Sequence, residues 1–295
     1  MGITILEGPI KAGNPIICLG DFDGVHLGHK KLLESGARQK AGVLLFDKDP
    51  ASFLQNGKSP YVLTGLKDKV ALMEKIGIDD FYIIPVSLEF FALSPEEFIN
   101  KYLMPLGVKK VICGSDYRFG SKASGGLEEL RNHFAVEEID LLNDGDEKIA
   151  SRNIKTLIAS GDIKKANRLL GHDYALSGVV AKGLHNGHKL GFPTINLALE
   201  YEYVVPKFGV YAGIAEIDGK SFRAMVNVGV NPTIGKRDTP SFEAYLLDYV
   251  GDDLYGKKVH LSLFDRERDE MKFDSLEKLS AQLEKDFLWR KSLDR

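Results

Sequence analysis

The first half of the chain alternates short apolar runs with stretches in which apolar residues recur every three or four positions. The short runs predict strands at 15–19, 43–46, 81–86 and 108–113. The longer spacing predicts helices at 28–41, 66–76 and 95–102. Ser94 and Glu97 form a capping box in front of the last of these helices. Strands and helices that alternate in this way predict a parallel sheet with helices on its faces.

From about Asp173 the rhythm changes to short alternating segments. These predict strands at 174–181, 210–217, 222–228, 242–249 and 258–264. Asp218-Gly219 is a strong two-residue hairpin signal between two of them. The pattern predicts an antiparallel sheet that closes as a small barrel.

A last helix ends the chain, with Asp274 predicted as its N-cap and Glu277 completing a capping box. Its predicted buried stripe consists of Leu276, Leu279, Leu283 and Phe287. The segment 161–174 is predicted to be helical and joins the two halves. We therefore expect two domains, 1–172 and 173–295, and a chain of 295 residues has the length for both.

Composition narrows the class of protein. The net charge is −3 and there is no strongly basic tract, which argues against general nucleic-acid binding. No apolar run approaches the ~18 residues of a membrane span, and no signal-peptide pattern opens the chain. Cys18 and Cys113 lie inside apolar runs, as buried free thiols do in a reducing compartment. We expect a cytoplasmic protein with no membrane partner.

The first candidate site is the turn Gly20-Asp21-Phe22-Asp23-Gly24-Val25-His26-Leu27-Gly28-His29, which follows a predicted strand and opens a helix. Free amides and the dipole at a helix N-terminus bind anions. His26 and His29 point the same way and can hydrogen-bond phosphate oxygens. Alternatively, His26 and His29 could be two ligands of a zinc ion, but the sequence shows no third ligand at a fitting spacing. Two structural histidines at a helix start are another alternative.

The second candidate site is the glycine-rich stretch from Gly183 to Asn196. Its loop amides can cover phosphates, and Thr194 and Asn196 lie on one face if the segment is extended. Two hard oxygens suit Mg²⁺. A Gly/Pro turn with a capping threonine is the alternative. The segment 213–221 approaches a Walker A motif but has five residues between its glycines, and we reject it.

Residues 20–29 resemble the signature of the adenylyltransferase half of bacterial FAD synthetases, members of the nucleotidyltransferase superfamily. Residues 114–120, Gly-Ser-Asp-Tyr-Arg-Phe-Gly, are similar to a second motif of that family. The resemblance implies catalytic roles for His26 and His29. It implies ATP and FMN binding by Gly20, Asp21, Phe22, Asp23, Gly28, Gly114, Asp116 and Arg118.

Two other segments depart from that family. Its Phe-x-Pro-His/Gln-Pro stands here as Phe46-Asp47-Lys48-Asp49-Pro50. Its phosphate-contacting Ile-Ser-Ser-Thr-x-Ile-Arg stands as Ile149-Ala150-Ser151-Arg152-Asn153-Ile154-Lys155. The resemblance assigns phosphate contacts to Ser151, Arg152 and Lys155. Two hydroxyls of this phosphate-contacting segment are lost, at Ala150 and Arg152. Of the two expected activities, adenylylation is the one that these changes affect.

Residues 183–196 resemble the signature of riboflavin kinases, with His188 where that family has arginine. The resemblance implies that Thr194 and Asn196 hold the metal and that Glu243 is the catalytic base. Without it, Glu243 is a strand glutamate on an exposed polar face. It also implies cofactor binding by Gly183, Gly187, Lys189, Gly191, Phe192, Pro193, Tyr211, Asn227, Arg268 and Glu270.

The combined resemblance is to the bifunctional riboflavin kinase/FMN adenylyltransferases. It implies an α/β nucleotidyltransferase-like domain with a Rossmann-like parallel sheet, then a six-stranded antiparallel β-barrel with a C-terminal helix. The expected reactions are riboflavin plus ATP to FMN, and FMN plus ATP to FAD and pyrophosphate, with Mg²⁺ at both sites. The expected partners are these small molecules, with no nucleic acid, in a monomer or weak oligomer.

Three other functions stay open at this point. One is a riboflavin kinase with a degenerate nucleotidyltransferase domain, which the departures at Lys48, Asp49, Ala150 and Arg152 motivate. Another is a non-catalytic regulator that senses flavin. The third is a nucleotidyltransferase that acts on a different phosphate substrate.

Overall fold

The computed structural model describes residues 2–7, 10–48, 50, 61–181, 194–231, 239–247, 249–251 and 253–295, with the side chains of 231 and 239 excepted. The chain divides into two compact units, Met1–Ser151 and Arg152–Arg295.

The first unit is built on a parallel sheet. Its strands are β1 (Gly2–Ile5), β2 (Ile16–Leu19), β3 (Gly42–Phe46), β4 (Asp80–Ile84), β5 (Lys110–Gly114) and β6 (Ala135–Ile139). They lie in the order β1-β4-β3-β2-β5-β6, and every neighbouring pair is parallel. A short antiparallel pair follows, β7 (Asn143–Asp144) and β8 (Glu147–Lys148). The predicted parallel sheet is confirmed.

Helices of this unit connect the strands. They are α1 (Leu27–Arg38), α2 (Leu66–Ile76), α3 (Leu88–Ala92), α4 (Pro95–Phe98) and α5 (Leu127–Arg131). A π-helical turn, Ile99–Leu103, continues α4. The capping box of Ser94 and Glu97 is present at α4, as predicted. Two apolar clusters fill the unit, one containing β2 residue Cys18 and the other β5 residue Cys113, and both thiols are buried and free.

The strand order reverses next to β2. The chain passes from β2 to β3 and β4 on one side, and it returns to β5 and β6 on the other. The carboxyl ends of β2 and β5 therefore border a crevice, and ligands of open α/β sheets bind in such a crevice. Gly20 and Gly114 lie at these two ends.

The second unit is a closed antiparallel barrel preceded and followed by helices. The helices are α6 (Ser151–Ser160), α7 (Ile163–Leu170) and α8 (Leu276–Ser292). The strands are β9 (Tyr174–Ala181), β10 (Thr194–Leu199), β11 (Gly209–Ile217), β12 (Lys220–Asn231), β13 (Thr239–Leu246) and β14 (Lys258–Asp269). They close in the order β10-β13-β12-β11-β14-β9, which confirms the predicted barrel.

Some of the connections predicted for this unit are confirmed, and others differ from the prediction. Asp218 and Gly219 join β11 to β12 with φ angles of 49° and 75°, the geometry of the predicted hairpin turn. The helical segment expected at 161–174 is α7 alone, and α6 precedes it. The two helices belong to the same compact unit as the barrel. The functional boundary at 172/173 stays a prediction.

The predicted N-cap of the last helix and the predicted burial of Leu276 are wrong. Ser275, not Asp274, caps α8, because its Oγ accepts from the Lys278 amide at 3.3 Å. Asp274 instead pairs with the Lys278 ammonium at 2.9 Å. Leu276 is 67% exposed, whereas the deepest side chains of α8 are charged, Asp286 and Arg290. These two groups bind partners on the barrel, and such partners leave no trace in apolar spacing.

Candidate active sites

The turn after β2 has an unusual backbone that a buried carboxylate holds in place. Phe22, Gly24 and Val25 have φ angles of 55°, 84° and 41°. The left-handed region is costly for a β-branched residue such as valine. Asp23 is 1% exposed, and its Oδ1 accepts from the amides of Leu63 at 2.8 Å and Thr64 at 3.2 Å. Asp23 therefore braces the turn that delivers His26 to the start of α1.

The two histidines form a stacked pair at that helix start. The Nδ1 of His26 accepts from the His29 amide at 3.3 Å, so the neutral ring carries its proton on Nε2. The ring centroids are 3.6 Å apart with an interplanar angle of 17°. The Nδ1 of His29 is buried and has no hydrogen-bond partner among the described residues. It is a polar atom that a ligand can satisfy.

Burial keeps both imidazoles neutral at pH 7. It lowers the pKa of His26 to about 4, with the charge of Lys148 acting in the same direction against Asp23 and Asp116. Burial also lowers the pKa of His29 well below its ordinary value, followed by the effects of His26, Lys69 and Lys148. Neutral imidazoles can donate one hydrogen bond each to phosphate oxygens without the desolvation cost of a buried charge.

A cavity of about 310 Å³ gathers most of the residues predicted for the first site. Those that line it are Gly20, Asp21, Phe22, His26, Gly28, His29, Gly114, Asp116, Arg118 and Ser151. Lys148 also lines it and forms an ion pair with Asp116. Asp23, Arg152 and Lys155 do not line this cavity. Their predicted contacts with substrate stay predictions.

A second cavity of about 560 Å³ lies beside the first and has an aromatic lining. Its aromatic residues are Phe46, Phe90, Phe91, Phe98, Tyr117 and Phe119. Gly20, Asp21, Tyr117 and Arg118 border both cavities. A polar cavity that can hold phosphates thus adjoins an apolar one that can hold a flat ring system.

In the barrel, strand register places the polar residues in one row. Glu243 of β13 lies opposite Asn196 of β10 on one side and opposite Asn227 of β12 on the other. The row continues through Val210 to Arg268. Residues directly opposite each other in antiparallel strands share a face of the sheet. Side chains from distant parts of the sequence therefore converge on Glu243.

A cavity of about 270 Å³ lies over this row and is lined by Thr194, Asn227, Glu243, Arg268 and Glu270, with Leu279, Leu283 and Asp286 from α8. A neighbouring cavity of about 220 Å³ shares Thr194 and Tyr245 with it. Burial raises the pKa of Glu243, and a hydrogen bond with Thr194 partly opposes that shift. Thr194 thus stands between two cavities and contacts the carboxylate predicted to act as base.

Two further residues of the barrel site, Arg268 and Glu270, are positioned by contacts with neighbouring residues. Glu270 lies so close to Gly229 that a Cβ there would be 2.3 Å from its Oε1, so a larger residue at position 229 would displace this carboxylate. Arg268 donates to Asp286 of α8 through Nε at 3.0 Å and through Nη2. Asp286 is fully buried. Arg268 therefore joins the barrel wall to the helix that lines the cavity.

Two of the predicted features of the barrel site, Tyr211 and the glycine-rich loop, are not among the described residues that line these cavities. Tyr211 is fully buried and does not line the cavities described above; its hydroxyl donates to the Lys207 carbonyl and accepts from Arg266 at 3.2 Å. Its predicted contact with a cofactor stays a prediction. The predicted positions Gly183, Gly187, Lys189, Gly191, Phe192 and Pro193, together with Asp49, lie outside the described residues.

The sequence reasoning missed Lys148, Lys69 and the α8 residue Asp286. Lys69 had a detectable signal, because it interrupts the apolar stripe of Leu66, Val70 and Met73 on its helix. Lys148 and Asp286 had none, because their roles depend on pairing with Asp116 and Arg268.

Family models match both halves of the chain. The model described as FAD synthetase matches residues 10–153, and the model described as riboflavin kinase matches residues 170–293. A bifunctional riboflavin kinase/FMN adenylyltransferase from Listeria monocytogenes is 37% identical, with 92% of this chain and 90% of the relative covered. The chain belongs to the bifunctional riboflavin kinase/FMN adenylyltransferase family.

Other members of this family cover the chain to the same extent. The protein of that name from Bacillus subtilis is 34% identical and the one from Escherichia coli K12 is 33% identical, each covering 92% of this chain and 90% of its own length. Family membership thus spans both candidate sites. It supports two activities and not the kinase-only alternative.

A solved structure shares the fold over 99% of each chain, with a TM-score of 0.84 and 28% sequence identity. Its printed name is macrolide-efflux protein from Streptococcus pneumoniae. Within the described part of this chain, we find no helix with the length and apolar character to cross a membrane.

Proposed function

We infer that the chain is a two-step flavin enzyme, which phosphorylates riboflavin to FMN with ATP and then adenylylates FMN to FAD with release of pyrophosphate. The observation that carries the inference is that each compact unit contains its own pair of adjoining cavities. A different family model matches the part of the chain that surrounds each pair. A site for a single activity requires only one such pair.

In the kinase step, Glu243 accepts the proton of the riboflavin 5′-hydroxyl as that oxygen attacks the γ-phosphorus of ATP and ADP leaves. Burial favours this role, because a carboxylate with a raised pKa is a stronger base. Asn196 and Asn227 flank the carboxylate and orient the hydroxyl. We assign riboflavin to the cavity under α8 and ATP to the neighbouring cavity, with Thr194 at their junction.

Thr194 at this junction and Asn196, two residues further along β10, fit Mg²⁺. Thr194 and Asn196 alternate along β10 and so present a hydroxyl and an amide oxygen on one face, and hard oxygens are the ligands that Mg²⁺ prefers. The described residues contain no group of three or more His, Cys, Asp or Glu side chains that could hold a metal ion. Substrate phosphates would therefore supply the remaining ligands. Mg²⁺ held there would neutralise phosphate charge during transfer.

In the adenylyltransferase step, an oxygen of the FMN phosphate attacks the α-phosphorus of ATP, and the bond to pyrophosphate breaks. We assign ATP to the polar cavity and the flavin ring to the aromatic cavity beside it. The Nε2 proton of His26, the neutral ring of His29 and the ammonium of Lys148 stabilise charge on the reacting phosphates. Arg152 and Lys155 add positive charge at the start of α6.

Several finer properties belong to the same proposal. We propose functional domains of 1–172 and 173–295, action in the cytoplasm, and a monomer or weak oligomer without a nucleic-acid partner. The buried free thiols of Cys18 and Cys113 support a reducing compartment. The net charge of −3 supports the absence of a nucleic-acid partner.

Chromatography of the flavins formed from purified protein, ATP and Mg²⁺ tests the function. One reaction starts from riboflavin and one from FMN. We expect FAD from both starts, with FMN as an intermediate in the first. FMN from riboflavin with no FAD from either start would contradict the adenylyltransferase assignment.

A further inference from the structure

Lys69 is a buried cation at the adenylyltransferase site that has no assigned role. It lies on α2 in line with Leu66, Val70 and Met73, which pack into an apolar cluster. The residue is only 8% exposed. Taking an ammonium out of water is costly unless a partner compensates, and an apolar residue would suit this stripe better. A lysine here therefore needs a reason beyond packing.

The partner that the structure provides for Lys69 is a backbone carbonyl. Its Nζ donates to the carbonyl oxygen of Asp21 at 2.9 Å, over a sequence separation of 48 residues. Within the described ranges, no carboxylate forms an ion pair with this ammonium. A carbonyl is a dipole rather than a counter-charge, so the positive charge stays uncompensated. The anionic phosphates of ATP and FMN carry the charge that would balance it.

The position of Asp21 gives this contact its significance. Asp21 borders both the polar cavity and the aromatic cavity, so its backbone lies where the two cavities meet. It directly precedes the turn in which Phe22, Gly24 and Val25 have left-handed backbone angles. The turn is held by hydrogen bonds at two points. Asp23 accepts from the amides of Leu63 and Thr64, and the Asp21 carbonyl accepts from Lys69.

The charge of Lys69 also acts on the catalytic pair. It helps to keep the pKa of His29 low, together with burial, His26 and Lys148. The carboxylates that act on the pair are Asp23 and Asp116, and both act on His26. Lys148 is paired with Asp116, whereas Lys69 faces a carbonyl. Lys69 is therefore the less compensated of the two ammonium groups beside the histidines.

We propose that Lys69 is a positioning residue for adenylyl transfer, which holds the Asp21 carbonyl at the junction of the two cavities and places a fixed positive charge beside His29. It does not line either cavity, so it acts through the turn and through its charge rather than by touching substrate. The inference rests on the proposed FMN adenylyltransferase activity.

Full-length Lys69→Met is the first test, with Lys75→Met as a matched control because Lys75 is an exposed lysine on the same helix. We expect kcat for FAD formation from FMN to fall about 10- to 100-fold in Lys69→Met, the size of effect that loss of an outer-shell partner has at metal sites. We expect KM for FMN and the rate of FMN formation from riboflavin to stay as in the wild type. Lys75→Met should match the wild type in all three.

The His29 ring titration, followed by NMR and assigned with His29→Gln, separates a charge effect from loss of structure. Removal of a neighbouring positive charge favours the imidazolium, so the pKa of His29 should rise in Lys69→Met. Lys69→Gln keeps a donor for the Asp21 carbonyl without the charge and should raise this pKa as well. Lys69→Arg keeps the charge, so it should leave the pKa low and recover most of the rate.

The outcomes distinguish this inference from the proposed function. A wild type that makes no FAD from FMN would refute the adenylyltransferase activity itself. An active wild type with an equally active Lys69→Met would overturn the positioning role alone. A slow Lys69→Met whose His29 titrates as in the wild type would also overturn it. If Lys69→Met does not fold, Lys69→Gln and Lys69→Arg carry the same comparison.

Discussion

At the scale of single residues, burial and partners decide the chemistry of both sites. His26 and His29 are adjacent on one helical turn and remain neutral because they are desolvated. Glu243 lies between two asparagines and has a raised pKa for the same reason. Glu216 of the same barrel, by contrast, is an exposed residue of β11. The residue type is the same, and the environment makes one of them a base.

Replacement of Glu243 by glutamine tests the assignment of the base. We expect Glu243→Gln to lower FMN formation from riboflavin by about 100- to 10,000-fold, the range attributed to general-base catalysis. FAD formation from FMN should stay unchanged, because the residues of that site lie in the other unit. Initial rates of both reactions, measured by flavin chromatography, provide the check. Glu216→Gln is the matched control, and equal loss of both activities in Glu243→Gln would contradict separate sites.

At the scale of elements, polar clusters anchor the helices that carry or line the sites. The C-terminal half of α1 is held by Glu137 of β6, which accepts from the Ser35 hydroxyl and from Gln39 at 2.9 Å. Lys110 of β5 pairs with the same carboxylate at 2.6 Å. The hydrogen bonds from Lys110 and Ser35 lower the pKa of Glu137 to about 2. The helix that begins with the two histidines is thus fastened at its other end.

This cluster predicts a dependence of stability on pH. The folded pKa of Glu137 is depressed to about 2, so its contribution is present above the ordinary glutamate pKa of ~4.3 and is lost as pH falls toward 2. We expect Glu137→Gln to lower the free energy of unfolding of the first unit by about 2 kcal/mol at pH 7 and by about half as much at pH 3. Chemical denaturation at the two pH values measures this difference.

The neighbouring Glu138 supplies the control for that experiment. It pairs with Arg131 at 2.8 Å, and both side chains are more than a third exposed. Such surface pairs contribute little, so Glu138→Gln should change stability by less than about 0.5 kcal/mol at either pH. A loss in Glu137→Gln that is the same at pH 3 as at pH 7 would show that the carboxylate charge is not involved.

The last helix, α8, is anchored to the barrel by a buried arginine. Arg290 is fully buried and donates to the carbonyls of Ala224 and Gly213, both at 3.0 Å. Its guanidinium also lies 5.0 Å from the centroid of the Phe264 ring. Because α8 lines the cavity over Glu243, this anchor supports the kinase site from outside the row of polar residues.

Removal of the anchor should therefore affect one activity only. We expect Arg290→Met to destabilise the second unit by about 3 kcal/mol, through the loss of charged hydrogen bonds, and to slow riboflavin phosphorylation. FAD formation from FMN should be preserved. Thermal unfolding and the two rates are the measurements, with the exposed Lys285→Met as control. A variant with wild-type stability would show that the two carbonyl contacts are dispensable.

At the scale of the whole molecule, each pair of cavities lies within a single unit. The residues that line the adenylyltransferase cavities lie in Met1–Ser151, and those that line the kinase cavities lie in Arg152–Arg295. The product of the kinase step is the substrate of the adenylyltransferase step. A chain that has lost one site should therefore be complemented by a chain that has lost the other.

Mixing Glu243→Gln with His26→Ala tests that independence. Neither variant alone should convert riboflavin to FAD at an appreciable rate, because each lacks one catalytic group. The mixture should produce FAD after a lag, since FMN released by the His26→Ala chain can be adenylylated by the Glu243→Gln chain. The time course of FMN and FAD by chromatography is the measurement. A mixture that accumulates FMN and makes no FAD would show that the two steps require one intact chain.

Several parts of the fold and of the sites could be predicted from local sequence. Apolar periodicity predicted the parallel sheet and the barrel, and the hairpin at Asp218-Gly219 and the capping box at Ser94 were confirmed. The turn from Gly20 to His29 indicated its own chemistry, because a helix start, glycines and two histidines lie within ten residues. Such signals are short-range, and the interactions behind them join residues close in sequence.

Tertiary structure decided what depends on residues far apart in the chain. The register of three strands places Asn196, Glu243 and Asn227 in one row, and the spacing of a single strand does not contain that information. Apolar spacing on α8 did not reveal that its most buried side chains are Asp286 and Arg290, which have hydrogen-bond partners on the barrel. The contact of Lys69 with Asp21 arises in the same way. A charged side chain can be buried at low cost only where a polar partner lies next to it. That partner is distant in sequence, so only the folded chain places the two together.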